Sequence, residues 1–187
     1  MKIPTSMEQM NMKRRNKILS MLGVHIHKNS KILDFGCGSG HTVYSLIDQG
    51  YSDIIGYDIK DYLELRNPAD CKHFCIASSE AENTLPFGDN TFDLIISEQV
   101  FEHVMDQTAI FRELHRVMRP EGHALLVFPA RYCFIEPHTY IPFGGVFAHR
   151  WWYKFWAVMG LRNEFQKGLS AEQVADKNAY YFVEALN

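Results

Sequence analysis

The ten residues Lys31-Ile-Leu-Asp-Phe-Gly-Cys-Gly-Ser-Gly40 place Gly36, Gly38 and Gly40 directly behind a short apolar run. Glycines at a strand-to-helix turn let the backbone approach a ligand closely and aim amide N–H groups at it. Tight turns without a ligand use the same composition, so the turn alone does not name its partner. Asp58 sharpens it: an acid closing the second apolar run can accept hydrogen bonds from two ribose hydroxyls. The pair describes chemistry that holds a nucleoside. A dinucleotide fingerprint counted from Gly36 and Gly38 needs its third glycine where the chain has His41, which argues against a nicotinamide-dependent oxidoreductase.

Metal chemistry finds less support. Cys37 lies inside the glycine turn, Cys71 and Cys75 are four apart, Cys133 stands alone, and His25 and His27 are the only histidines close in sequence. None of these spacings is that of a zinc site. The expectation is no metal and no disulfide.

The elements that must hold the turn and the acid follow from the apolar rhythm. Short apolar runs at 31–35, 53–58, 73–77, 92–97 and 123–129 alternate with helical stretches, the pattern of βαβ units and a parallel sheet. Helices are predicted over 40–50, ended by Gly50, and over 106–118, with Ile110, Leu114, Val117 and Met118 inward and a stop at Arg119-Pro-Glu-Gly122. An amphipathic helix is predicted over 7–22, with Lys13, Arg14, Arg15 and Lys17 read as a solvated face. Further helices are predicted at 149–160 and from Ser170 on, where Ser170 and Gln173 stand at capping-box spacing.

A chain of 187 residues, 47% hydrophobic, has the material for one domain. Lys+Arg 19 against Asp+Glu 22 leaves a formal charge of -3, so no basic field gathers nucleic acid. Residues 8–15 include Glu8, Lys13, Arg14 and Arg15 in place of a signal-peptide apolar core, and the expected location is cytoplasmic.

The ordered set of motifs resembles the class I S-adenosylmethionine (SAM)-dependent methyltransferases, in particular the small-molecule methyltransferase group with an Asp-x-Gly-Cys-Gly-x-Gly first motif. The resemblance covers residues 31–129. It rests on Asp34-Phe-Gly-Cys-Gly-Ser-Gly40, Leu85-Pro-Phe-Gly-Asp-Asn-Thr-Phe-Asp93, Ser97-Glu-Gln-Val-Phe-Glu-His-Val104 and Phe111-Arg-Glu-Leu-His-Arg-Val-Met-Arg-Pro-Glu-Gly122. It implies an α/β, Rossmann-like, doubly wound and mainly parallel sheet in the order 3-2-1-4-5. The family's usual antiparallel C-terminal strand pair has no counterpart before Asn187. The resemblance implies SAM as cofactor, S-adenosylhomocysteine as product, and a cofactor site built from Asp34, Gly36, Cys37, Gly38, Asp58, Ile59, Ser79, Glu80, Ser97 and Glu98. In it Gly36 and Gly38 line the methionine part, Asp58 holds the ribose, and Ile59 packs on the adenine face. Glu80 or Ser79 faces the adenine amino group, although Glu80 lies seven residues before Phe87 where the family usually has six. Ser97 and Glu98 stand near the sulfonium and the acceptor.

A structural reading stands beside each role: Asp34 as a turn cap, Asp93 as a local ion-pair partner, and Leu85, Phe87 and Phe92 as core. Because the methyl group sits on a good leaving sulfonium, alignment and exclusion of water are the main requirements. For a hydroxyl acceptor a base helps, and His103, Glu136 and His138 are the candidates.

The expected domain is 1–187, with an N-terminal helix at 1–23 and an aromatic-rich acceptor-side cover at 130–187. Its aromatics serve either as a lid or as a seal on the sheet edge. The run Trp151-Trp-Tyr-Lys-Phe-Trp156 with Arg150 and Lys154 also allows contact with a membrane surface. The expected activity is methyl transfer to a small-molecule or sugar-bearing acceptor at oxygen; the alternative is a SAM-binding partner without turnover. A homodimer is one way to cover an open strand edge.

Overall fold

The computed structural model describes residues 6–63, 65, 67–77, 84–128, 134–135 and 139–182. The chain divides into two compact units, residues 1–100 with 106–127 and residues 101–105 with 128–187.

The first unit carries α1 (Ser6–Met21), β1 (Lys31–Phe35), α2 (His41–Asp48), β2 (Asp53–Asp58), β3 (Phe74–Ile76), β4 (Phe92–Glu98), α3 (Gln107–Val117) and β5 (Met118–Val127). The strands form one sheet in the order β3-β2-β1-β4-β5, and every pairing is parallel. Central strands buried on both faces must be apolar at consecutive positions. Ile32 and Leu33 on β1 and Leu94, Ile95 and Ile96 on β4 meet that demand, all buried. Val43 and Leu46 of α2 and the half-buried Leu19 of α1 pack into the cluster around Ile32, Ile54, Leu94 and Ile96. On α3, Ile110, Leu114 and Val117 are buried, and the Asp106 carboxylate caps the helix by accepting from the Ala109 amide at 2.9 Å.

The junction of α3 and β5 differs most from expectation. Met118 starts β5 instead of ending α3, and Arg119–Gly122, predicted as a stop, lie within the strand. The register explains it: Phe92 pairs with Met118 but Leu94 pairs with His123, so the extra residues bulge out of β5. Among the described residues no strand lies on the outer edge of β5.

The second unit is built on α4 (Arg150–Val158) and α5 (Ala171–Tyr180). Ile141, Tyr153 and Ala175 form its core, with Trp152, Trp156 and Phe182 packed against them. The Trp152 indole donates to the Pro142 carbonyl at 2.8 Å and the Tyr153 hydroxyl to the Gly144 carbonyl at 3.2 Å, so these two rings keep their polar tips satisfied. The capping box predicted at Ser170 and Gln173 opens α5. Among the described residues no helix is long and apolar enough to cross a membrane.

Candidate functional site

The carboxyl ends of β1, β2 and β4 meet because the register sets Asp34 beside Gly56 of β2 and Ile96 of β4. Asp34 is 3% exposed and Ser97 1%, so β1 and β4 both end on polar side chains that the fold has removed from water. Asp58 ends β2 beside them. From α1 comes Arg15, 4% exposed, whose Nε and Nη2 each lie 3.4 Å from a carboxylate oxygen of Glu98.

Among the described residues Asp34 Oδ2, Ser97 Oγ and Arg15 Nη1 are buried with no hydrogen-bond partner. A native fold rarely leaves such atoms unmatched, since each costs about 1–3 kcal/mol. Three within one charge cluster mark a place for a polar ligand. Burial raises the Asp34 carboxyl from its ordinary value to about 7; Arg15 works against the rise, and Glu98 and Asp58 add to it. A cation bound beside Asp34 would restore its charge.

The glycine turn differs from expectation in how its amides are used. The Gly36 and Cys37 amides both donate to the Tyr57 carbonyl, at 2.8 and 3.0 Å, and the Gly38 amide donates to Asp58 Oδ2 at 2.8 Å. These groups brace the turn against β2 instead of pointing at a ligand. The glycines serve backbone shape, with φ of 79°, 50° and 84° at Gly36, Gly38 and Gly40. They also separate by surroundings: a Cβ at Gly36 would meet Val100 at 2.2 Å and one at Gly40 would meet Phe74 at 2.7 Å, whereas one at Gly38 would meet nothing within 4 Å. Gly38 is the member of the turn that borders open space.

Cys37 is buried, and its thiol is pushed well above the ordinary thiol range by burial and then by the Asp34 charge, so it is a neutral packing group. Ile59, just past β2, is 46% exposed, an apolar surface beside Asp58. Gln99 leaves β4 at φ 60°, with its amide donating to the Val127 carbonyl at 2.7 Å. A non-glycine residue held in the left-handed region at the end of a central strand is local strain of the kind found at functional sites.

Asp34, Gly36, Cys37, Gly38, Asp58, Ile59, Ser97 and Glu98 thus lie on or just past the ends of β1, β2 and β4. Ser79, Glu80, Glu136 and His138 lie outside the described residues. His103 is exposed in a single 3-10 turn, Phe101–His103, of the second unit. Its neighbour Glu102, passed over in the sequence reading, has both carboxylate oxygens buried without a partner among the described residues.

The sequence reading also put Arg15 on a solvated face. That expectation fits Lys13, Arg14 and Lys17, which are exposed, but Arg15 is buried. The missed signal is its spacing: Arg15 falls three and four residues before Ile18 and Leu19, the half-buried stripe of α1. In the second unit Arg150 pairs with Asp176 at 2.5 Å and with Glu172 at 2.6 Å, and Lys154 pairs with Glu172. Both cations on which an anionic-membrane reading would draw are therefore engaged by α5.

The remaining motifs have structural work. The Arg116 guanidinium donates to the carbonyls of Leu85 and Phe87, at 3.0 and 2.9 Å, and to Asp89 at 2.7 Å. Glu113 accepts from the Leu85 amide at 2.9 Å and from Arg116 at 2.7 Å. Asp93 accepts from the Lys31 amide at 2.7 Å and pairs with Arg119, the local role set out for it.

A five-stranded parallel sheet in this order, with acids and a glycine turn at its carboxyl ends, defines a Rossmann-like α/β domain of the nucleoside-cofactor class. Residues 33–126 match the methyltransferase domain family, and the chain belongs to this family of class I SAM-dependent methyltransferases. It is 30% identical over 137 residues to a probable S-adenosylmethionine-dependent methyltransferase of Mycolicibacterium smegmatis, covering 71% of this chain and 51% of that protein. It is 27% identical over 103 residues to the ubiquinone biosynthesis O-methyltransferase of Neisseria meningitidis, covering 51% of this chain and 42% of that one. The chain thus spans about half or less of these curated relatives. The crystal structure of a SAM-dependent methyltransferase from Aquifex aeolicus superposes with a TM-score of 0.53 at 24% identity, covering 73% of this chain and 72% of that one, and shares the fold.

Proposed function

We propose that this chain binds S-adenosylmethionine and transfers its methyl group to a small-molecule or sugar-bearing acceptor, at oxygen. The observation that carries the reading is the trio of buried, unpartnered polar atoms on Arg15, Asp34 and Ser97. Those groups suit the cofactor: Asp34 answers an ammonium, Arg15 a carboxylate, Asp58 keeps lone pairs for a ribose, Ile59 offers an apolar face for a purine, and Gly38 leaves room beside the chain. Gly36 and Cys37 support the site by shaping the turn. Ser79 and Glu80 are assigned to the adenine amino group by family resemblance.

When bound, the cofactor supplies an activated methyl on a sulfonium. The protein's share is alignment and dehydration. Buried Ser97 and half-buried Glu98 at the end of β4 hold the reacting end in place and exclude water from it. His103, Glu136 and His138 remain the proposed bases for a hydroxyl acceptor. Transfer to oxygen is supported by the family resemblance and by the name of the Neisseria relative.

The reading treats 1–187 as one methyltransferase domain, 1–23 as its N-terminal helix and 130–187 as the acceptor-side cover. A cytoplasmic setting goes with it, supported by the free thiols of Cys37, Cys71 and Cys75. The second reading, a SAM-binding partner without turnover, is favoured by the uncovered outer edge of β5 among the described residues, an edge that a second copy could also pair with. Incubating the protein with labelled SAM and pooled hydroxyl-bearing metabolites separates them. Label in an extractable product supports the enzyme; cofactor binding with no labelled product from any pool supports the partner.

A further inference from the structure

The helix α4 is apolar on two opposite faces. Its inner face is used by the fold: Tyr153 and Ala157 are buried, and Tyr153 joins Ala175 of α5 in the core of the second unit. On the outer face Trp151, Phe155, Val158 and the capping Met159 fall at helical spacing, each between 48% and 68% exposed. A helix that is hydrophobic all round belongs in an interior, so among the described residues the outer face of α4 lacks its cover.

The stripe continues beyond the helix. The Trp152 ring centre lies 5.5 Å from that of Trp151, 5.9 Å from Phe155 and 5.4 Å from Phe147, and Phe147 lies 6.1 Å from Phe143; both phenylalanines are exposed. At the areas usual for such side chains, these exposed residues leave roughly 700 Å² of mostly apolar surface in water, beyond the ~300–600 Å² of the largest patch on an ordinary monomer and close to the ~800 Å² per partner of a stable interface. Charge narrows the occupant. Arg150 and Lys154, the two cations of α4, are held by Glu172 and Asp176 of α5, so neither is left for an acidic partner or an anionic lipid. A neutral apolar face of this size fits another like itself.

We propose that the outer face of α4 is the contact between two copies of this chain, packed antiparallel about a twofold axis at Phe155. The spacing sets the axis: Trp151 and Met159 stand four residues to either side of Phe155, so antiparallel packing lays Phe155 on its own copy and each Trp151 on the Met159 of the other. The large ring then meets a flexible thioether, a favourable sulfur–aromatic contact, whereas a parallel arrangement would set Trp151 against Trp151. A twofold contact uses the same patch on both copies, so it closes at two and covers the stripe completely. It needs no strand pairing at β5 and does not rest on the cofactor reading.

The test is sedimentation velocity of the full chain across the micromolar range, with circular dichroism and thermal melting to check folding. Wild type is expected as a species of twice the chain mass. Phe155→Glu opposes two like charges at the axis and is expected to melt as a folded monomer, with dimer affinity lowered about 100-fold or more. Trp151→Lys and Met159→Glu are each expected to weaken the dimer about tenfold or more, and the double variant to recover it, because the two positions meet only across the axis. Loss of apolar surface alone would not give that recovery. Wild-type protein that stays monomeric overturns the proposal, and if this monomer floats with phosphatidylcholine vesicles while Phe155→Glu does not, the face is a lipid-docking surface instead. A dimer left intact by Phe155→Glu and by both single variants overturns it too and moves the contact elsewhere. If Phe155→Glu does not fold, the Trp151→Lys and Met159→Glu pair decides, and a double variant no tighter than either single one overturns the proposal.

Discussion

The Gly38 amide donates a 2.8 Å hydrogen bond to the Asp58 carboxylate, so the acid assigned to the cofactor ribose also closes the glycine turn. Its other oxygen accepts from the Lys60 amide at 3.1 Å. Asp58 is therefore a structural and a binding residue at once, and the two roles respond differently to substitution.

Asp58→Asn keeps a carbonyl oxygen for the Gly38 amide but loses the charge and one acceptor. It is expected to melt near wild type while weakening S-adenosylhomocysteine by about tenfold or more. Asp58→Ala should show the same binding loss and, in addition, cost about 1–2 kcal/mol of stability in urea unfolding. Equal stability losses in the two variants would mean that the hydrogen bond to Gly38 does not hold the turn.

Gly36 and Gly38 separate packing from ligand access. Gly36→Ala forces a methyl to within 2.2 Å of the Val100 side chain at φ 79°, and should lower expression and melting temperature sharply. Gly38→Ala meets no neighbour within 4 Å and carries only the cost of φ 50°, about 1 kcal/mol. The expected Gly38→Ala protein is folded and defective in S-adenosylhomocysteine binding. Full-affinity binding by it would show that the open space beside Gly38 is not the ligand's.

Burial gives Asp34 a pH signature opposite to that of an ordinary carboxylate. Its value is raised from 3.8 to about 7, so the folded protein holds a proton that the unfolded chain releases. The stabilisation is complete below 3.8 and is lost as pH rises through about 7. Arg15 of α1 limits the effect, and Asp58 of β2 and Glu98 of β4 enlarge it. Asp34→Asn should therefore raise the ligand-free melting temperature at pH 8, leave it little changed at pH 4, and abolish cofactor binding. A variant less stable than wild type at pH 8 would contradict this account of Asp34.

The Arg116 clamp predicts an acid-sensitive loop. Arg116 holds the Glu113 carboxyl below its ordinary 4.5, against the opposing effect of burial and with help from the Leu85 amide. That stabilisation is present above 4.5 and is lost as pH falls through the lower folded value. Arg116→Ala removes the donors to Leu85, Phe87 and Asp89 and should cost about 2–3 kcal/mol at pH 7, with a smaller difference at pH 3. Hydrogen exchange at residues 84–91 is the direct readout, and unchanged protection there would contradict the clamp.

How much of this was legible in the sequence depends on whether the signal was periodic or relational. β1 and β2 match their expected bounds because each is a short, mostly apolar run, KILDF and DIIGYD, that opens on a charged residue. The end of α3 was misplaced because Met118 fits the helical stripe as well as the strand, and only the bulged register against β4 decides between them. Asp34, Asp58, Ser97 and Glu98 are legible as candidates because they stand at the ends of strands, where a parallel sheet gathers its ligands. Arg15 was not found: its burial depends on the packing of α1 beside Glu98, 83 residues away in sequence. Glu102 gives no sequence signal, since burial of both its oxygens is a tertiary fact.

The most direct test of the central claim is calorimetric titration of the purified chain with S-adenosylhomocysteine, with Asp58→Ala in parallel and NAD as the competing cofactor. The account predicts one saturable site for S-adenosylhomocysteine, weakened about tenfold or more in the variant, and no heat from NAD. No binding of S-adenosylhomocysteine to cooperatively folding wild-type protein, or binding of NAD in its place, would contradict it.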